Sequence, residues 1–85
     1  MAAEVLYKAS ALKDLKRLDR PAARRIVERI DTDLSAHPGK DKALTGQYKG
    51  LFSYRIGDYR VVYVMLGDAI LVLRIAHRAE AYRQD

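Results

Sequence analysis

Apolar residues recur along this chain with two different periods, and the period changes once. Leu12, Leu15 and Leu18 fall three apart, on one face of a short helix. Ser10 offers that helix an N-cap, and Asp19 marks its end. Pro21 suits the first turn of a second helix, with Asp19 or Arg20 just before it. Ala23, Ile26, Val27, Ile30 and Leu34 form the second apolar stripe, and Arg24, Arg25, Glu28, Arg29, Asp31 and Asp33 occupy the other faces. His37-Pro38-Gly39 stops the helix. Two amphipathic helices joined by a tight turn predict a helical hairpin.

After about Lys42 the texture becomes that of strands. Leu51–Ile56, Tyr59–Leu66 and Ala69–Ala76 are rich in Val, Ile, Leu and Tyr, and Gly57-Asp58 and Gly67-Asp68 separate them. Glycine supplies the positive φ of tight hairpin turns, so the pattern predicts a three-stranded antiparallel meander. At the other end, Ala2–Tyr7 reads as an edge strand. The predicted order is β-α-α-β-β-β, an α+β domain spanning 1–85, with the helical hairpin packed on one face of an antiparallel sheet. The tail from Ala79 to Asp85 suits a helical turn or a frayed end.

Charge adds a partner class to this picture. Sixteen Lys and Arg against 11 Asp and Glu give +5 over 85 residues. Such an excess favours a polyanionic partner: nucleic acid, a ribosome or an acidic protein. No cysteine is present, which excludes a disulfide framework, and His37 and His77 alone make no structural zinc site. Glu4 and Lys8 interrupt what would have to be the apolar stretch of a secretory leader. Ala69–Leu73, the longest apolar run, is far too short to span a bilayer. The expectation is a soluble cytoplasmic protein with no membrane partner, cofactor or metal.

The candidate chemistry lies in the meander. With Gly57-Asp58 as a two-residue turn, Ile56 pairs with Tyr59 and Arg55 sits opposite Arg60. Like charges directly opposite each other destabilise a strand pair, unless an anion or acidic neighbours come between them. The end of the last strand is a second cluster: Arg74, His77 and Arg78, then Tyr82 and Arg83. A two-residue turn at Gly67-Asp68 puts Arg60 opposite Ile75, on the face shared with His77. A three-residue loop puts it opposite Ala76, on the face shared with Arg78. The pattern admits both, because a one-residue slip exchanges the two faces.

Convergent guanidinium groups match phosphate oxygens. RNA cleavage by transesterification needs a base for the 2′-hydroxyl, an acid for the leaving 5′-oxygen, and cations on the phosphorane. Arg60 and Arg78 suit the last role. His77 or Tyr82 suits proton transfer, and Tyr82 also suits stacking on a base. Lys49 and Tyr48, ahead of the meander, suit an RNA groove together with Arg55 and Arg83. Tyr59 and Tyr63 share a strand face with Val61 and Met65, which suits packing. Arg24, Arg25 and Arg29 suit a solvated helix face.

Three stretches together resemble the RelE branch of the RelE/ParE toxin superfamily: Leu44–Leu51 (LTGQYKGL), Tyr54–Tyr63 (YRIGDYRVVY) and Leu73–Arg83 (LRIAHRAEAYR). The resemblance runs over essentially the whole chain. It implies a microbial RNase-like fold and ribosome-dependent, metal-independent cleavage of mRNA in the A site, which blocks translation. It also implies a cognate antitoxin that neutralises the toxin and carries the pair to operator DNA. By position, Arg60 and Arg78 resemble the family's two phosphate-contacting arginines, and Tyr82 resembles its C-terminal tyrosine. Where well-studied members carry two lysines, this chain has Leu51 and Ser53. Lys49, Arg55 or His77 would have to supply the missing base and charge. Two alternatives on the same fold are a ParE-like gyrase inhibitor and a catalytically degenerate toxin that acts only through antitoxin binding and co-repression.

Overall fold

A computed structural model describes residues 3–38, the backbone of 42–43, and residues 50–77. Strand β1 (Val5–Tyr7) leads into helices α1 (Ala9–Arg17) and α2 (Arg20–Arg29). A π-helical turn, Ile30–Leu34, prolongs α2. A short β2 (Lys42–Ala43) precedes β3 (Phe52–Ile56), β4 (Tyr59–Leu66) and β5 (Ala69–His77). The sheet order is β1-β5-β4-β3-β2.

This is the expected α+β arrangement, with two differences. Strand β1 pairs parallel to β5, so the sheet is mixed rather than antiparallel throughout. The connection from β1 to the meander runs through the hairpin, and such a crossover delivers a parallel strand. The two-residue β2 adds an edge beside β3 that the pattern did not predict.

Alternation sorts the strands into two faces. Tyr54, Ile56, Val61, Tyr63, Ile70, Val72 and Ile75 point toward the helices and form one core with Ala11, Ile26, Ile30 and Leu34. Phe52 stacks on Tyr63 with centroids 5.2 Å apart and planes 16° from parallel. The four-residue spacing of Ala22, Ile26, Ile30 and Leu34 keeps all four buried along one line. Ala23 and Val27, placed in that stripe from sequence, are half-buried at its edge.

In α1 the buried face differs from the expected one. Ala11 and Asp14 are buried and Leu15 and Leu18 pack against the core, while Leu12 is exposed. Ser10 is not the N-cap either. Lys8 holds that position, and the Ser10 hydroxyl donates instead to the carbonyl of Leu73 on β5, 2.7 Å away. The second helix starts as read, with Asp19 at the N-cap and Pro21 in the first turn, where its missing N–H costs nothing.

The π turn closes with the Ser35 amide donating to Ile30 O at 2.9 Å, one residue wider than an α turn. Its Asp33 accepts a 2.6 Å hydrogen bond from the Tyr54 hydroxyl, which ties the end of the hairpin to β3. Arg29 approaches the same carboxylate at 3.9 Å. Both meander turns are two-residue turns opened by glycine, with φ +57 at Gly57 and +60 at Gly67. Among the described residues, no helix is long and apolar enough to cross a membrane.

Candidate functional site

The Gly57-Asp58 turn fixes the β3–β4 register, and Arg55 stands directly opposite Arg60. Both lie on the sheet face turned away from the helices, since their neighbours Tyr54, Ile56 and Val61 point into the core. Arg55 is exposed and donates from Nε to the carbonyl of Gly57 at 3.2 Å. Arg60 is half-buried and donates to the hydroxyl of Ser53, diagonally across the strand pair, at 3.2 Å. The hydroxyl of Ser53, itself buried, thereby fixes one end of the guanidinium plane.

The β4–β5 register resolves the alternatives in an unexpected way. Leu66 pairs with Ala69, so the turn has two residues, yet Arg60 pairs with Ala76. Tyr63 pairs with Val72 and Val62 with Arg74, which leaves Leu73 as an extra residue. This β-bulge supplies the one-residue offset that a longer loop would otherwise have to provide.

Beyond the bulge, His77 pairs with Tyr59 and shares its helix-facing side. The two rings meet edge to face with centroids 6.0 Å apart. His77 and Arg60 therefore stand on opposite faces of the sheet. His77, Tyr59, Ile75 and Ala76 line one wall of a cleft of about 330 Å³, and Asp14 and Arg17 of α1 with Leu18 at its C-cap line the other. Arg78, Tyr82, Lys49 and Arg83 lie outside the described residues.

Asp14 anchors the floor of this cleft. Its buried carboxylate accepts from the Ile75 amide at 2.9 Å and from Arg74 at 2.8 and 3.3 Å. The fork-on-carboxylate geometry, with hydrogen bonding to Asp14 as the first cause, raises the pKa of Arg74 further above its ordinary value. Arg74, grouped with the terminal cations from sequence, is thus engaged with α1. Asp14 escaped the sequence reading, although its spacing held a signal. It sits three residues after Ala11 and four before Leu18, on the face that packs inward.

Sheet, hairpin and arginines together define a small basic α+β protein whose sheet carries helices on one face and a guanidinium pair on the other. Residues 5–82 match the family described as the ParE toxin of the type II toxin-antitoxin system, parDE. The chain belongs to the RelE/ParE superfamily of type II toxin–antitoxin toxins. It is 34% identical to the toxin RelG of Mycobacterium tuberculosis, covering 94% of this chain and 95% of the relative. It is 36% identical to the toxin RelE of the same organism, covering 95% of this chain and 87% of the relative. Among solved structures, the toxin–antitoxin complex RelBE2 of M. tuberculosis matches with a TM-score of 0.86 and 31% identity. That match covers 92% of this chain and all of the other.

Proposed function

We propose that this toxin is a ribosome-dependent mRNA endoribonuclease that acts in the cytoplasm and is neutralised by a cognate antitoxin. The observation that carries the reading is the Arg55–Arg60 pair on the face away from the helices. Two permanently charged forks facing each other cost stability in a strand pair, and a phosphate between them removes the repulsion. Likeness to toxins named RelE and RelG over nearly the full chain supports the same reading.

In the proposed reaction the ribose 2′-oxygen attacks the adjacent phosphorus and the bond to the 5′-oxygen breaks. The products are a 2′,3′-cyclic phosphate and a 5′-hydroxyl. Arg60, held by Ser53, stabilises the phosphorane charge. Arg78 is the second arginine of this role, and Tyr82 the group for proton transfer or base stacking. Lys49, Arg55 and Arg83 contact the RNA backbone. His77, on the other face, acts on the same phosphate only by reaching round the strand end, which ranks it behind Tyr82. Ser53 stands where resembling toxins carry a lysine, so charge lost at that position is replaced by a hydrogen bond that orients Arg60.

The antitoxin partner is supported by the solved relative, which is a toxin–antitoxin complex. Contact with operator DNA runs through that antitoxin. The direct test is primer extension on a reporter mRNA in a purified translation system, for wild type and Arg60→Ala, with and without ribosomes. Cleavage is expected only with ribosomes and with Arg60. Cleavage that survives Arg60→Ala in a folded protein sinks the assignment. Because the matching family is described as ParE, a gyrase inhibitor is the second reading. Inhibition of purified gyrase without mRNA cleavage would select it.

A further inference from the structure

Beyond Val72, strand β5 outruns β1, which is its only strand neighbour on that side among the described residues. Helix α1 takes over the exposed edge. The Lys8 amide donates to Val72 O at 2.9 Å, the Ser10 hydroxyl to Leu73 O at 2.7 Å, and Asp14 accepts from the Ile75 amide at 2.9 Å. These contacts bracket the bulge: Leu73 is the extra residue, and Ile75 follows two positions later. We infer that Asp14, assisted by Ser10, is a positioning residue that holds this β-bulge in place and thereby keeps Ala76 fixed opposite Arg60.

A bulged strand has two requirements. The offset must be favoured by burial, and the main-chain groups it turns out of the ladder must find partners. Burial is met because Ile70 and Val72 point inward before the bulge and Ile75 after it. An unbulged β5 would put Arg74 on the core face and Ile75 on the other. The partners are met by α1, since both the Leu73 carbonyl and the Ile75 amide are taken by its side chains. With Asp14 removed, burial still opposes the slipped register, but a buried amide is left unsatisfied. The end of β5 then loosens rather than slipping, and Ala76 no longer holds its place beside Arg60.

Two substitutions separate the Ile75 contact from the ion pair. Asp14→Asn keeps an oxygen for the Ile75 amide and gives up the charge facing Arg74, while Asp14→Ala gives up both. In the full chain, Asp14→Ala is expected to exchange the Ile75 amide at least about tenfold faster than wild type, and Asp14→Asn to stay within about threefold. The nuclear Overhauser contact between Arg60 and Ala76 should vanish in the alanine variant and persist in the asparagine variant. Ser10→Ala should give a smaller acceleration at the same amide, and reports on the bulge if Asp14→Ala fails to fold.

The consequence for activity rests on the nuclease reading. Mrna cleavage should lose at least about tenfold in kcat with KM within about threefold for Asp14→Ala, and recover in Asp14→Asn. Unchanged Ile75 exchange in folded Asp14→Ala, or in Ser10→Ala where the former does not fold, overturns the proposal. Equal losses in the alanine and asparagine variants overturn it too, because the ion pair would then carry the effect. If wild type cleaves no mRNA, the nuclease reading falls and the exchange data alone decide on the bulge.

Discussion

Arg55 and Arg60 face each other across β3 and β4, with Arg60 leaning onto Ser53 and Arg55 onto the carbonyl of Gly57. Each guanidinium bends away from its counterpart, as expected of like charges in a cross-strand pair. Relieving this cross-strand repulsion should stabilise the protein. Arg55→Thr puts a strand-favouring residue at an exposed position and removes one charge. It is expected to raise stability by about 0.5 kcal/mol in urea denaturation. Under the proposed function the same variant should bind RNA more weakly and lose part of its salt dependence, which a binding isotherm at two salt concentrations measures. A destabilised variant with unchanged RNA affinity would show that the pair serves structure instead.

The division of Arg60 and His77 between the two sheet faces makes a second prediction. Arg60→Ala should abolish translation-coupled cleavage, with a loss of about 100-fold or more if it stabilises the phosphorane. His77→Ala should cost about tenfold or less, because the imidazole meets Tyr59 on the helix-facing side. Single-turnover cleavage rates for the two variants check the ranking. A loss at His77 equal to that at Arg60 would show that the strand end turns during the reaction.

How far the sequence reached depends on how local each determinant is. The Arg55–Arg60 pairing was legible because a two-residue turn next to it fixes the register by itself. The Arg60–Ala76 pairing is one of the two the sequence leaves open, but the sequence ties it to a three-residue loop, whereas the turn has two residues and a bulge makes the offset. That bulge is held by Ser10 and Asp14, 63 and 61 residues from their partners in the chain. For the same reason Ser10 looked like a cap: a hydroxyl near a helix start usually finds a local amide, and here it found β5. Leu12 was placed inward by its spacing to Leu15 and Leu18, but Ala11 and Asp14 took that face to meet the strand edge. The hairpin, the meander and the core stripe of α2 were all periodic signals, and all three appear in the fold.

Tyr54 offers a test of how the hairpin is tied to the sheet. Its ring is in the core and its hydroxyl donates to Asp33 on the π turn at 2.6 Å. Burial first, then the hydrogen bond to Asp33, raises its pKa. Tyr54→Phe keeps the ring and deletes the bond. It is expected to cost about 1 kcal/mol, since the acceptor is charged but partly in water. Amides of the π turn should lose protection more than those of β4, and hydrogen exchange reads that difference. Uniform loss across both elements would mean that Tyr54 acts only through the core.

Tyr7 gives the chain an alkaline weak point. Its ring packs against the core and its hydroxyl is buried, with no hydrogen-bond partner among the described residues. Burial, and after it the charge of Asp31, pushes its pKa from 10.0 to about 12. A folded-state value above the unfolded one means that the native protein holds the phenolic proton more tightly than the unfolded chain does. The associated stability is complete below pH 10 and drains away as pH rises from about 10 through 12. Two pKa units correspond to roughly 2–3 kcal/mol, reduced by the partial exposure of the residue to about 2 kcal/mol. Tyr7→Phe has no proton to lose there. It should be more stable than wild type by about 1 kcal/mol at neutral pH, because it removes an unsatisfied buried hydroxyl. The gap between the two should widen between pH 10 and 12. Urea midpoints across pH 7 to about 12 for both proteins measure it, and parallel curves would place the Tyr7 hydroxyl in contact with a partner or with water.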